Sequence, residues 1–449
     1  MKKLLLINPM GRRSGLLLSK HSSFAPLSLA YIAAVTPSHW DIKILDETTT
    51  PFIFEEADLV GITGFTSNIT RAYEIAQLYR AKKIKVILGG IHASLLPEEA
   101  LQYGDAVVIG EVEGIWGQVI RDFENNCLQS KYLGPKIDLS HNSIPPRRDL
   151  IDPGYVWNSV QTSRGCPFNC FFCSVSNYLG QDYRQRNSKD VLNELNQIEG
   201  KFIAFLDDNL IGHSPEHRKR ARDIFRGMIT QGGNKKWWMQ TSINAIEDED
   251  LIRLAAQAGC LFAFMGFETT NREMLSQMKK RINLKVGTNK YKKVVDTFHK
   301  YGIGVYGAFI IGMDEESPAY YEEMAEFLIH SGMDIVQISI LTPLPGTRLF
   351  KQMESEGRLI YKNFPEDWEK YRFSYVVHEP KGLEEETIYR GDNFIKEKLY
   401  SFPTYPYRLL KSFINLKGGG NFYITKKYNQ ALKKGWENSH YFSKFPHKL

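Results

Sequence analysis

Three of the chain's five cysteines fall in one short stretch, Thr162-Ser-Arg-Gly-Cys166-Pro-Phe-Asn-Cys170-Phe-Phe-Cys173. The C-x3-C-x2-C spacing lets three thiolates from a single loop wrap one face of a metal group. Iron–sulfur clusters are held by cysteine thiolates, normally four for a [4Fe–4S] cube. Three ligands leave one iron open to bind a further molecule. Zinc is the inorganic alternative, but a structural zinc site wants four protein ligands, and no fourth Cys or His lies nearby. Clustered thiols in a chain this size make a poor disulfide framework, and in a reducing compartment they suggest metal or redox chemistry. Cys127 and Cys260 stand alone and are expected to be structural.

Something must hold that loop, and the pattern around it is a regular alternation. Candidate strands are Ser159–Ser163, Phe202–Leu206, Trp237–Thr241, Leu261–Gly266, Gly304–Ile310 and Ile335–Ile340. Helix-like stretches lie between them: Ser188–Gln197, Pro215–Ile229, Asp248–Ala258, Leu284–Lys300 and Pro318–Ser331. Six βα units with right-handed crossovers predict a partial (β/α)6 barrel over 156–375, whose site lies at the strand C-termini. Polar residues gather at those ends, Asp207-Asp208-Asn209, then Ser242 and Asn244, then Glu268, and the fifth strand leads into Ile310-Ile-Gly312. Taken singly, Asp208 or Glu268 could equally be a cap or an ion-pair partner.

Upstream, short apolar runs at Lys3–Asn8, Asp41–Leu45, Leu59–Gly64, Lys85–Gly89 and Ala106–Ile109 alternate with helical patterns such as Arg71–Lys83 and Gly114–Asn125. These five strands predict an α/β, doubly wound (Rossmann-like) domain over 1–135, with ligands beyond the strand C-termini. The candidate loops are Asn8–Ser14, Thr63–Thr70, Gly89–Ser94 and Gly110–Gly114, where glycine and small polar residues permit close backbone approach. From Lys131 to Pro153 prolines and polar residues replace the pattern, and 136–155 is read as a linker.

The cysteine triplet after a strand, with an aromatic residue before its third cysteine, resembles the radical S-adenosylmethionine superfamily. The resemblance implies a [4Fe–4S] cluster on Cys166, Cys170 and Cys173. Its open iron would chelate the amino and carboxylate groups of S-adenosylmethionine, and reductive cleavage would yield a 5′-deoxyadenosyl radical. It also implies that Asp208, Ser242, Asn244, Glu268, Ile310 and Gly312 face S-adenosylmethionine. Ala308-Phe-Ile310-Ile-Gly312-Met-Asp-Glu315 is similar to the family's G-x-I-x-G-x-x-E segment, with Ala308 in place of its first glycine. Thr342-Pro-Leu-Pro-Gly346-Thr is typical of the group. Arg184 and Arg186 match an x-Y-R-x-R pattern or form a solvated basic face. An external one-electron reductant, such as flavodoxin or ferredoxin, is implied.

With a doubly wound domain directly upstream, residues 1–375 resemble the cobalamin-binding class of these enzymes, on Leu88-Gly-Gly-Ile-His-Ala93 and Asp105–Gly114. The implied cobalamin contacts are Asn8, Thr66, Ser67, Gly89, Gly90, His92, Gly110 and Glu111. No D-x-H-x-x-G motif is present, so a lower-face histidine ligand of the usual kind is not expected, and His92 is expected to be structural or hydrogen-bonding rather than a metal ligand. The function implied is methylation of an unactivated carbon of a small-molecule or lipid-like substrate. An oxidative cyclase or rearrangement enzyme is the nearer rival, and a non-catalytic sensor or scaffold the farther one.

The formal charge of +6 is concentrated at the end of the chain: from Tyr400 onward there are nine Lys/Arg and one Glu. Residues 376–449 are read as a small, mostly helical, basic and aromatic region, with Gly418-Gly-Gly420 as a hinge. It is either a solvated lid on the barrel or a surface for peripheral membrane contact, which would suit a lipid or isoprenoid substrate. No nucleic-acid reading module is present, and the remainder of the chain is close to neutral. No long apolar run suggests a membrane span, and Met1–Pro9 reads as a first buried strand rather than a signal peptide, so a cytoplasmic location is expected.

Overall fold

A computed structural model describes residues 1–11, 24–141, 144–232, 234–417, 419–447 and 449. Part of the expected loop Asn8–Ser14, and Gly418 of the glycine triplet, lie outside the described residues.

The first sheet contains β1 (Lys2–Asn8), β2 (Trp40–Asp46), β3 (Leu59–Thr63), β4 (Lys85–Gly89), β5 (Ala106–Gly110) and β6 (Lys131–Gly134). All pairings are parallel, in the order β2-β1-β3-β4-β5-β6. Leu4, Leu5, Leu6 and Ile7 of β1 are wholly buried. Burial on both faces is why the run is continuously apolar, as a central parallel strand requires. The order reverses at β1/β3, and a ligand crevice opens at such a switch point. Five strands were expected, and six are found among the described residues. Lys131-Tyr-Leu-Gly134, assigned above to the lapse in pattern, pairs with β5 as an edge strand, and an edge needs only its inner residue apolar. Tyr132 is that residue and is buried.

The second sheet runs β14-β13-β12-β11-β10-β7 and is again parallel. Its strands are β7 (Asn158–Val160), β10 (Phe202–Phe205), β11 (Lys236–Gln240), β12 (Cys260–Glu268), β13 (Gly304–Ile311) and β14 (Ile335–Ile340). The first and last strands do not pair, so the barrel is open. A short antiparallel pair, β8 (Ser163–Arg164) with β9 (Arg184–Gln185), clasps the two ends of the cysteine loop. Helix starts follow the sequence: Ser214 and Ser317, each followed by proline, accept from the amides of His217 and Tyr320. A side-chain acceptor there satisfies a free helix N–H.

The C-terminal region forms helices Glu385–Tyr400, Thr404–Asn415 and Gly419–Glu437. Gly419 and Gly420 open the last helix. That helix packs Ile424, Tyr428 and Leu432 onto the barrel's inner face, against Phe262, Tyr306 and Ile335. It closes the barrel at the end where its strands begin. Cys260 is buried, whereas Cys127 is exposed.

Candidate functional site

The strand order brings the polar ends of β10, β11, β12 and β13 side by side, next to the loop that leaves β8. Asp207 does not face a ligand. It is wholly buried and accepts from the Thr162 amide and hydroxyl (3.1 and 2.7 Å) and from the Ser163 hydroxyl, fixing the strand that leads into the cysteines. Asp208 turns to the open side, and burial together with the Asp207 charge pushes its carboxyl up to about 6. Ser242 accepts from the Asn209 amide at 3.3 Å. Asn244 is buried, and its amide makes no hydrogen bond among the described residues.

Glu268 stands at a register shift in β12, with φ +65, a conformation that non-glycine residues adopt only when their surroundings hold them there. Asn283 donates to the Gly266 and Phe267 carbonyls (both 3.0 Å), and the Tyr291 hydroxyl donates to the Phe267 carbonyl (2.9 Å). The bulge aims the Glu268 carboxylate at Lys280 in a buried ion pair. Burial works against the Lys280 ammonium, but Glu268 and the neighbouring cysteines raise its proton affinity. Lys280 was not singled out in the sequence, and no motif marks it.

The three cysteines lie on the loop between β8 and β9. Burial raises all three thiols, Cys173 to about 12, and the Lys280 charge partly offsets this. Thiolates in so dry a place need a cationic partner, and a coordinated metal deprotonates a thiol outright. Among the described residues, no three His, Cys, Asp or Glu side chains converge on a single ion. Gly165 opens the loop with φ +90, and a Cβ there would lie 2.2 Å from the Asp182 carbonyl, so only glycine fits. Arg348 Nη2 donates to the Asn169 carbonyl (2.6 Å) and stacks over Phe171.

A cavity of about 640 Å³ separates the C-terminal edges of the two sheets. Asn8, Ser67, Gly89, Gly90, Gly110 and Glu111 line it from the first sheet, and Gln161, Arg164, Tyr178, Leu206 and Asp208 from the barrel side. Its volume is in the range of sites that enclose large organic ligands. Gly90, with φ +89 and 2.6 Å from its would-be Cβ to Thr63 Oγ1, keeps the wall flat.

Two residues expected at this wall are not on it. Thr66 and His92 are buried behind it, where His92 bonds to Thr66 Oγ1 (3.2 Å) and Glu99 (3.1 Å). Glu99 also accepts from the Tyr73 hydroxyl and the Trp368 indole (both 2.9 Å), so the histidine is occupied on both nitrogens by a packing network. The imidazole's fit to the core overrides the exposure that a G-G-x-H loop suggests.

Glu111 reaches the cavity, but its carboxylate is taken by Arg164 (2.8 Å) and Arg184 (3.0 Å), and Glu113 pairs with Arg164 as well. Burial alone would raise Glu111, yet the two guanidinium groups hold it below the usual carboxylate range. Arg186 pairs with buried Glu194. Both arginines after the cysteine loop are therefore interior, not a solvated face. Beyond β13, Gly312 is capped by Glu316, which accepts from the Gly312 and Met313 amides (2.8 and 3.1 Å). Glu315, the acid matched in the sequence pattern, is exposed.

With this geometry in hand, two family models match the chain: the B12 binding domain over residues 14–120 and the radical SAM superfamily over residues 160–328. The chain is 29% identical over 415 residues to bacteriochlorophyllide d C-12(1)-methyltransferase of Chlorobaculum tepidum, covering 88% of this chain and 86% of that one. It is 26% identical to the same organism's bacteriochlorophyllide d C-8(2)-methyltransferase, covering 90% and 88%. A solved structure of the radical S-adenosylmethionine methyltransferase TsrM from Kitasatospora setae, with cobalamin and [4Fe–4S] cluster bound, superposes with TM-score 0.73. It covers 98% of this chain and all of that one at 16% identity, a likeness of fold. A [4Fe–4S] cluster, S-adenosylmethionine and cobalamin are the cofactors that these two domains carry. Two sheets facing each other across one chamber, each matching its own cofactor domain, make the chain a member of the radical S-adenosylmethionine enzymes that carry a cobalamin-binding domain.

Proposed function

We propose that this enzyme methylates an unactivated carbon of a largely apolar small molecule. The observation that carries the reading is the chamber between the two sheets, bounded by the glycine-rich wall of the first and, on the barrel side, by Leu206, Asp208 and by Val175, Tyr178 and Leu179 of the loop that carries the three cysteines. With its cofactors bound, such a chamber has a source of a carbon-centred radical and a source of a methyl group, and that chemistry is the cofactors' own. Both relatives described above are named as methyltransferases of bacteriochlorophyllide d carbon positions, which supports the reaction class.

The chain's residues bind, orient and exclude water. Cys166, Cys170 and Cys173 would hold the cluster, with the Lys280 charge offsetting theirs. Asp208, Ser242, Asn244, Glu268, Ile310 and Gly312 sit at successive strand ends and would meet S-adenosylmethionine. Asn8, Ser67, Gly89, Gly90 and Gly110 would meet cobalamin, mostly through backbone. With His92 turned into the core, no protein ligand to the cobalt's lower face is proposed. Phe24, packed on Trp238 at 5.2 Å, and Leu206 give the barrel side an apolar lining suited to an apolar substrate. The electron needed to begin turnover would come from an external reductant such as a flavodoxin or ferredoxin.

Anaerobic reconstitution tests this. Iron and sulfide near four per chain are expected, with Cys170→Ala losing both. Cobalamin should co-purify or bind on supplementation, and turnover should yield both 5′-deoxyadenosine and S-adenosylhomocysteine. A protein that binds no cobalamin, or that forms only the first product with a competent substrate, is not a methyltransferase of this kind.

A further inference from the structure

The helix Thr404–Asn415 is inside out. Its buried side chains are polar, Arg408 and Ser412, and Arg408 donates inward to the Leu399 carbonyl at 3.2 Å. Its exposed stripe is apolar: Tyr407, Leu410, Phe413 and Ile414 are 40%, 59%, 51% and 64% exposed. Positions 407, 410 and 414 recur at helical spacing, and Phe402, 87% exposed, stands just before the first turn. A helix on the surface of a water-soluble unit shows the opposite pattern. Single exposed apolar residues are ordinary, but a contiguous stripe marks a contact surface.

The next helix supplies the charge. Gly419–Glu437 packs on the first through Phe422, edge-on to Phe413 at 5.3 Å. It shows Tyr423, Lys426, Lys427, Gln430 and Lys434 to solvent. The Lys411 and Lys427 ammonium groups stand over the Tyr407 and Tyr423 rings, at 4.5 and 5.4 Å, so cations and aromatic rings share this face. From Thr404 to Glu437 the sequence holds seven Lys/Arg and a single acid, Glu437, beside Lys433.

These features choose among partners. A second copy would bring two basic stripes together. A nucleic-acid backbone would satisfy the lysines and leave the apolar stripe without a partner. An anionic bilayer surface satisfies both. We propose that this two-helix face docks peripherally on an anionic lipid bilayer, with Phe402, Leu410, Phe413 and Ile414 entering the headgroup–acyl boundary and Lys411, Lys426 and Lys427 meeting lipid phosphates. Among the described residues no helix is long and apolar enough to cross a membrane, so the contact is superficial. Lys417 and Asn421 bond to the Lys300 and Gly302 carbonyls, just before β13 begins. The docking face therefore lies at the strand N-termini, at the opposite end of the barrel from the chamber.

Co-sedimentation of the anaerobically reconstituted full chain with vesicles tests this, using phosphatidylcholine alone or mixed with phosphatidylglycerol. Binding is expected only to the mixed vesicles and should fall with added salt. Leu410→Glu with Phe413→Glu should lower partitioning at least about tenfold, and Lys426→Glu with Lys427→Glu by a similar factor. Circular dichroism and iron content should match the parent in both. The proposal is overturned if mixed vesicles pellet no protein, if neutral vesicles do as well, or if both variants bind like the parent. Sedimentation velocity supplies a further arm: a dimer abolished by Leu410→Glu with Phe413→Glu, without vesicle binding, would assign the face to a second copy instead.

Discussion

At the scale of single residues, the site depends on charges placed where water is scarce. Lys280 and Glu268 are partners in a buried pair that also stands beside the cysteine loop. Removing one member of such a pair strands the other, at a cost of about 3–5 kcal/mol. Lys280→Met is therefore expected to lower the unfolding free energy of the cofactor-free protein by about that amount in denaturant titrations. Lys280→Met with Glu268→Leu should recover much of the loss. If the single variant is as stable as the parent, the pair does not hold the β12 bulge. The cysteine spacing was legible in the sequence because three thiols on one loop need no tertiary information. Lys280 was not legible, because its importance comes from a bulge that turns Glu268 toward it. His92 shows the converse: its loop has the look of a binding loop, yet the side chain satisfies Glu99 and Thr66 in the core.

At the scale of elements, strand ends rather than strand bodies carry the site, and their caps tune them. Glu316 caps the end of β13 and is 2% exposed. Burial raises its carboxyl to about 7, against the pull of the two amides and the Tyr321 hydroxyl that donate to it. An acid whose folded pKa exceeds its unfolded value of 4.5 adds stability that is present below pH 4.5 and lost as pH rises through about 7. The loss amounts to about 3 kcal/mol. Glu316→Gln should flatten the stability profile over that window, measured as unfolding free energy against pH. An unchanged slope would mean that Glu316 is ionised throughout. The strands themselves were readable from apolar runs, since central parallel strands are buried on both faces. Edge strand β6 was not, because only Tyr132 among its four residues is buried. The glutamate matched by sequence pattern was one residue away from the capping acid, since Glu315 takes φ +65 and turns outward.

At the scale of the whole molecule, the two sheets are joined by charge and by the chain's own return. Arg164 and Arg184, on either side of the cysteine loop, share Glu111 from the end of β5. Trp368, from beyond β14, bonds to Glu99 of the first domain and packs edge-on to His92 at 5.2 Å. Glu111→Gln should weaken both arginine contacts together. We expect it to lower cluster retention on gel filtration while leaving the far-ultraviolet spectrum intact, read from iron per chain before and after the column. Retention equal to the parent would show that the first sheet does not steady the loop. None of these cross-domain contacts has a signature in the sequence, because the partners are tens to hundreds of residues apart and their pairing exists only once both sheets have formed.

The sharing of Glu111 has a consequence for how such a protein can be taken apart or built. The barrel is continuous in sequence and looks like a portable module. Yet the loop with its three thiols is clasped by arginines whose counter-charge belongs to the neighbouring domain. A barrel cut free would expose two buried cations beside the very loop it needs, so the two halves are one unit of inheritance: recombination that exchanged either half would have to carry its counter-charge along.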